Sequence, residues 1–242
     1  MKTPAYVQQK NGKYANVNFY QAALALDRFF SYEVVPFEAA DVDNLPITKD
    51  TPVYAGIAVF EKVIKKLGRT ALVPYWPLEL NRFLGRKVDK VTVGELTRMV
   101  EGGQEIFVKP LEVTRKSFTG TVMRNRFGLL HVAELPLEAE VYTSEVVKFV
   151  TEYRCFIHKE AGVFGAKHYA GDWKLIPDLK LAEVAMKEYT QSPIAYSLDL
   201  GLTEDGRTLL VECNDATSLG CYGLDAYAYG KMITDRWAEI MK

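Results

Sequence analysis

The sequence has few cysteines and no long hydrophobic run. Its three cysteines, Cys155, Cys213 and Cys221, show no CxxC spacing, which argues against a disulfide framework or a zinc site. No apolar run approaches the roughly 18 residues of a membrane span, and the start of the chain, MKTPAYVQQKNGK, lacks an apolar signal core. We therefore expect a cytoplasmic protein with no membrane partner.

An excess of either charge is also missing. The formal net charge is −1, from 30 basic and 31 acidic residues, so no global field attracts nucleic acid. No Gly-x-Gly-x-x-Gly fingerprint occurs, which leaves a dinucleotide-binding fold unsupported. What is present is an ordinary globular composition, 48% hydrophobic and 25% charged over 242 residues. This length suits one large domain or two to three small lobes.

Hydrophobic periodicity predicts a region of alternating strands and helices at the start of the chain and a strand-rich region in its middle. Residues 1–68 alternate short apolar runs with stretches of helical spacing, which predicts a βαββα lobe with a mostly parallel sheet. Thr92-Val-Gly-Glu95 matches a capping box and predicts the start of another helix. The pattern then changes to a period of two, which predicts antiparallel strands. These strands are expected at 105–110, 117–124, 127–135, 141–150, 152–158 and 163–170.

Residues 194–211 predict a β-hairpin whose turn is Glu204-Asp205-Gly206. Asp199 lies on the first strand, and Glu212 and Asn214 lie on one face of the second, since positions i and i+2 of a strand share a face. Two carboxylates and an amide that converge in this way suit Mg²⁺. The alternative is that Asp199 and Glu212 are solvated charges. The flanking strands are apolar on both faces, however, and a buried carboxylate needs a counter-charge or a metal.

Basic residues on the preceding strands allow functional and structural interpretations. Lys109 before Pro110 is either a phosphate-binding ammonium or a surface lysine. The segment 115–120, which contains Lys116, is either a phosphate loop or a solvated turn. Arg154 shares a face with Glu152, two residues earlier, and the two could form a structural ion pair. Lys167 and His168 point to opposite faces, so only one of them can share a site with Arg154.

Taken together, these residues resemble the ATP-grasp superfamily. Asp199, followed thirteen positions later by Glu212-x-Asn214, is similar to the magnesium-binding segment of D-alanine–D-alanine ligase and its relatives. Residues 107–110 (FVKP) resemble the strand whose lysine contacts ATP phosphate, which implies that role for Lys109. Residues 144–149 (SEVVKF) resemble the hinge strand between two lobes. The resemblance implies adenine contacts for this segment at Glu145, Val146 and Val147.

The resemblance also implies roles for other polar residues. Glu152 would bind the ribose hydroxyls, Lys116 would lie in the phosphate loop, and Arg154 and Lys167 would face the triphosphate and the acyl phosphate. Two features depart from the pattern. The phosphate loop is poor in glycine, and many relatives have an arginine two residues before the first metal ligand, where this chain has Ser197. Arg154 is expected to take the role of that arginine.

The fold implied by the resemblance is an α/β (α+β) ATP-grasp fold. A small N-terminal α/β lobe (1–68) would precede two α+β lobes, 69–145 and 146–242, that grip the nucleotide. The chain looks most like compact stand-alone ATP-grasp proteins of bacteria and phages.

The implied activity is that of an ATP-dependent carboxylate–amine or carboxylate–thiol ligase. It would use ATP and one or two Mg²⁺ ions, act through an acyl phosphate and release ADP and phosphate. Two alternatives remain: a phosphotransferase or ATPase, and a non-catalytic nucleotide-binding accessory protein. Expected partners are small-molecule or peptide carboxylates and amines; a homodimer is left open.

Overall fold

The computed structural model describes residues 2–71, 73–111 and 117–242. Its strands are β1 (Pro4–Gln9), β2 (Glu33–Glu38), β3 (Val53–Tyr54), β4 (Val88–Thr92), β5 (Ile106–Pro110), β6 (Thr121–Met123), β7 (Glu140–Ser144), β8 (Phe149–His158), β9 (Gly162–Gly171), β10 (Ala195–Thr203) and β11 (Thr208–Asp215). Its α-helices are α1 (Val17–Phe29), α2 (Ile57–Lys66), α3 (Asn81–Leu84), α4 (Val93–Glu101), α5 (Lys180–Glu188) and α6 (Ala226–Met241). In the part of the chain described, no helix is long and apolar enough to cross a membrane.

The chain forms two compact units. The first comprises residues 1–83 and 150–242, and the second comprises residues 84–149. The division into lobes at 1–68, 69–145 and 146–242 stays a prediction.

The first unit contains a parallel sheet and a four-stranded sheet. Strand order in the parallel sheet is β2-β1-β3, and helices α1 and α2 follow β1 and β3. The predicted βαββα order and parallel pairing are therefore confirmed. The four-stranded sheet has the order β11-β10-β8-β9. One apolar cluster includes Ala5 of β1, Leu26 of α1, Phe156 of β8 and Met232 of α6, so both sheets share a core.

The predicted hairpin is formed by β10 and β11. Its turn is closed by a hydrogen bond from Gly206 N to Thr203 O (3.0 Å), with Gly206 at φ +82°. Asp199 pairs with Glu212, but the next residue of β10, Leu200, pairs with Leu210. Val211 is therefore the extra residue of a β-bulge, a feature that bends a strand and re-aims the adjacent side chains. The bulge lies directly before Glu212.

Hydrogen bonds with Trp76, Tyr75 and Arg236 hold β11 in place within the first unit. The Trp76 indole donates to the Val211 carbonyl (2.8 Å), and Cys213 N donates to Tyr75 O (2.8 Å). At the end of the strand, Asp215 accepts two hydrogen bonds from Arg236 of α6, at 3.0 and 2.7 Å. These contacts are short and largely shielded from water, so they fix the end of the strand that carries Glu212 and Asn214.

The second unit contains an antiparallel sheet with the order β4-β7-β5-β6. Helix α4 begins with the predicted capping box, since Glu95 N donates to the Thr92 hydroxyl (3.2 Å) and Thr92 N donates to the Glu95 carboxylate (2.8 Å). Val108 of β5 is buried against α4. Because side chains alternate along a strand, Lys109 lies on the opposite face of the sheet.

Three strand predictions were wrong in this unit or at its end. The expected strand 127–135 is a 3₁₀ helix, Arg126–Val132, capped by Asn125. Its apolar residues Leu129 and Val132 pack against the core at a spacing of three, which fits a 3₁₀ helix rather than a strand. The predicted strand 117–124 is reduced to Thr121–Met123. The predicted strand 141–150 ends at Ser144, and the next strand begins at Phe149.

Candidate active site

A buried ion pair lies at the centre of the site. Arg154 on β8 donates from Nε to Asp199 Oδ1 (2.8 Å) and from Nη2 to Asp199 Oδ2 (2.6 Å). Asp199 is 0% exposed and Arg154 8% exposed, so the hypothesis that Asp199 is a solvated charge is wrong. Burial alone lowers the pKa of the Arg154 guanidinium, but the hydrogen bonds and charge of Asp199 outweigh that effect and raise the pKa above its ordinary value.

Asn214 connects this ion pair to Glu212. Its Nδ2 donates to Asp199 Oδ2 (3.3 Å) and to Glu212 Oε1 (3.1 Å). The structure therefore brings together all three residues predicted as metal ligands. Among the described residues, no three His, Cys, Asp or Glu side chains form a metal-binding group. A three-ligand metal site here would therefore need the Asn214 amide beside the carboxylates of Asp199 and Glu212. Two half-buried oxygen-bearing side chains, Glu212 and Asn214, fit Mg²⁺, which commonly takes few protein ligands.

Lys167, rather than His168, lies on the face of this site. Lys167 pairs directly with Arg154 across β8 and β9, and directly opposite side chains of an antiparallel pair lie on one face. His168 pairs instead with Tyr153, and their rings are 5.2 Å apart on the other face. Lys167 is half-buried and forms no ion pair with any described residue. It is a cation placed beside Arg154 that a ligand could engage.

Glu152 has a different partner from the one that its spacing suggested. It accepts a hydrogen bond from the Tyr169 hydroxyl (2.6 Å), and Arg154 is paired with Asp199. Tyr169 is the extra residue of a bulge in β9, since Glu152 pairs with Ala170 and Tyr153 pairs with His168. Burial first, and then the negative charges of Asp199 and Glu152, raise the pKa of the Tyr169 phenol. It therefore stays protonated and donates.

Three tyrosines belong to this region, and the sequence assigned none of them a role in the chemistry of the site. The rings of Tyr169 and Tyr222 lie 5.6 and 5.1 Å from the Arg154 guanidinium carbon. Burial raises the pKa of Tyr75 to about 12, with a smaller contribution from the charge of Glu212. No local pattern predicts these positions, because they depend on bulges, on a loop and on contacts between distant segments.

The remaining predicted residues lie in the second unit or outside the described chain. Lys109 is half-buried on β5, opposite Tyr142. Glu145 follows β7, and its carboxylate accepts a hydrogen bond from Lys87 N (2.8 Å). Val146 and Val147 continue this non-strand segment. Lys116 lies outside the described residues. The nucleotide contacts assigned to these residues and to Glu152 stay predictions.

Comparison with solved structures shows the fold of the chain. N5-carboxyaminoimidazole ribonucleotide synthetase PurK, in an ADP complex, is 13% identical with a TM-score of 0.61, covering 98% of this chain and 77% of that chain. D-cycloserine synthetase DcsG is 13% identical with a TM-score of 0.60, and the match covers 97% of this chain and 99% of DcsG. D-alanine–D-alanine ligase from Bacillus anthracis is 13% identical with a TM-score of 0.54, and the match covers 100% of this chain and 98% of the ligase. No curated protein matches at a significant level.

A sequence profile identifies the family of the chain, which the solved structures do not. The profile described as ATP-grasp domain, R2K clade family 2, matches residues 83–232, which is more than half of the chain. The matched stretch contains β5 and the β10–β11 hairpin, with Lys109, Asp199 and Glu212. The predicted mixed α/β architecture and the resemblance are both confirmed. The chain belongs to the ATP-grasp superfamily, in family 2 of the R2K clade.

Proposed function

We propose that this protein is an ATP-dependent ligase that joins a carboxylate to an amine or a thiol through an acyl phosphate. The observation that carries the proposal is the convergence of two cations and three oxygen-bearing side chains on one sheet face: Arg154, Lys167, Asp199, Glu212 and Asn214. Cations beside a cluster of Mg²⁺-type ligands suit phosphoryl transfer, which depends on positioning and charge stabilisation. The compared structures are named as synthetases and ligases, which agrees with this choice.

Mg²⁺ would be held by Glu212 and Asn214, the half-buried members of the cluster. Asp199 is the predicted third ligand, although its oxygens already accept hydrogen bonds from Arg154 and Asn214. It would have to share them with the cation. When bound, the ion would neutralise phosphate charge.

The reaction would proceed in two steps, the phosphorylation of the carboxylate and the displacement of phosphate by the nucleophile. A substrate carboxylate oxygen attacks the γ-phosphorus of ATP, which forms the acyl phosphate as ADP leaves. The amine nitrogen or thiol sulfur then attacks the acyl carbon, loses its proton and displaces inorganic phosphate. Lys167 and the edge of Arg154 that faces away from Asp199 would offset the charge that develops on the transferred group.

A hydroxylamine trap tests this proposal. The protein is incubated with Mg-ATP, a panel of amino acids and peptides, and hydroxylamine, with an EDTA-treated sample as control. We expect equal amounts of hydroxamate and ADP with at least one carboxylate. ADP without any acyl product would favour a phosphotransferase or ATPase. No ADP with any substrate would favour a non-catalytic nucleotide-binding protein.

Lys109→Ala is expected to weaken the binding of Mg-AMP-PNP about tenfold, because one charge-assisted hydrogen bond to phosphate is lost. The affinity is measured by titration calorimetry. Arg98→Ala is the matched control, since it removes one positive charge from an exposed position on helix α4, which packs on the other face of the same sheet. Unchanged affinity in the Lys109 variant would contradict its assignment to the nucleotide site.

A further inference from the structure

Tyr222 has a backbone conformation that is unusual for an aromatic residue. Its φ is +44°, and the only other described non-glycine residues with positive φ are Asn11 and Ser31. This left-handed region is strongly disfavoured for bulky side chains, and such conformations persist only where the surroundings impose them. Strained residues of this kind are concentrated at functional sites.

The loop around Tyr222 is anchored on both sides. Cys221 N donates to the Asn18 side chain (2.9 Å), and the Leu224 carbonyl accepts from the Gln21 side chain (2.8 Å). Leu219, Cys221 and Leu224 are all buried in the core. A Cβ atom at Gly220 would come within 2.9 Å of the Tyr222 ring. The anchored backbone and the close approach of Gly220 therefore restrict the position of the Tyr222 ring.

The Tyr222 ring lies beside the Arg154 guanidinium. The Tyr222 ring centroid is 5.1 Å from the guanidinium carbon, the Tyr169 centroid is 5.6 Å from it, and the two centroids are 5.6 Å apart. These nearly equal distances place the two rings next to each other rather than on opposite sides of Arg154. Tyr222 is 46% exposed, whereas the neighbouring Arg154 is 8% exposed.

We propose that Tyr222 is a positioning residue whose ring holds the Arg154 guanidinium in its paired orientation with Asp199. A cation is attracted to the face of an aromatic ring, most strongly where water is excluded. The ring therefore fixes Arg154, and Arg154 fixes Asp199 beside Asn214 and Glu212. Its effect on turnover rests on the proposed function, whereas its effect on Arg154 does not.

Two substitutions separate the ring from the backbone conformation. Tyr222→Asn removes the ring but suits positive φ, because asparagine is enriched in the left-handed region. Tyr222→Phe keeps both the ring and the strained backbone. Ser31→Asn is the control, since Ser31 is exposed and has φ +57°. The readouts are the melting temperature, the NMR resonance of Arg154 Nε–H in the ligand-free protein, and kcat and KM for Mg-ATP turnover.

For Tyr222→Asn we expect a melting temperature within about 2 °C of wild type or above it. The Arg154 Nε–H resonance should shift, because the ring current that acts on it is removed. We expect kcat to fall about tenfold, the equivalent of one cation–π contact, with KM for ATP changed less than about twofold. Tyr222→Phe should keep the wild-type resonance and most of kcat, and Ser31→Asn should leave turnover unchanged.

The proposal is overturned if Tyr222→Asn leaves the Arg154 resonance in its wild-type position, or if Tyr222→Phe is as impaired as Tyr222→Asn. A Tyr222→Asn variant with wild-type kcat would also overturn it. If the wild-type protein turns over no ATP, the proposed function fails. The Arg154 Nε–H resonance of the ligand-free protein then still tests whether the Tyr222 ring lies against Arg154, and the melting temperature tests whether the variant folds.

Discussion

Arg154→Met is expected to lower the free energy of unfolding by about 3 kcal/mol, because it leaves the buried Asp199 carboxylate without its counter-ion. Both members of this pair are almost completely buried, so water cannot replace the lost contact. The change is measured by urea unfolding at neutral pH, with the slope of the transition compared to confirm two-state behaviour.

A second substitution and a surface pair serve as controls. Adding Asp199→Leu to Arg154→Met should recover most of the lost stability, since a buried apolar pair of similar volume leaves no uncompensated charge. Lys62→Met breaks the exposed Lys62–Asp43 pair (2.5 Å) and should cost under about 1 kcal/mol. An Arg154→Met protein as stable as wild type would show that the Arg154–Asp199 pair does not stabilise the fold.

Glu212→Gln is expected to reduce Mg-dependent ATP turnover at least about 100-fold, since Glu212 is a proposed direct ligand of the Mg²⁺ ion and that ion would stabilise the charge of the transferred phosphoryl group. The substitution keeps the size of the side chain and a carbonyl oxygen, but it removes the negative charge that attracts Mg²⁺. The fold should persist, because Glu212 is only half-buried. ADP release is measured at saturating Mg²⁺.

A readout that does not depend on activity accompanies this prediction. In the wild type, Mg-AMP-PNP should raise the melting temperature by mass action, and this increase should be lost in Glu212→Gln. Glu183→Gln on the exposed side of α5 removes the same charge elsewhere and should change neither property. Full Mg-dependent turnover in Glu212→Gln would show that the metal assignment is wrong.

The sequence was informative where the relevant contacts are local. The alternation of β11 placed Glu212 and Asn214 on one face, and the glycine of the 204–206 turn indicated a hairpin that brings Asp199 beside them. The capping box at Thr92 likewise needs only four consecutive residues. These features depend on strand and helix periods and on turn chemistry, which one sequence contains.

Other features depend on contacts that no local pattern records. Arg154 and Asp199 are 45 positions apart, and their pairing follows from the order of strands in the sheet. The bulges at Tyr169 and Val211 have no sequence signal, yet they set which side chains meet at the site. The wrong strand at 127–135 arose because an apolar run can fit either a period of two or a period of three.

The most direct test of the central claim is a crystal structure of the protein with Mg²⁺ and AMP-PNP. The proposed function predicts an ion about 2.1 Å from oxygen atoms of Glu212 and Asn214, the usual Mg²⁺–oxygen distance, with nucleotide phosphates completing its coordination. Nucleotide bound with no ion beside Glu212 and Asn214, or with Asp199 turned away from both, would contradict it.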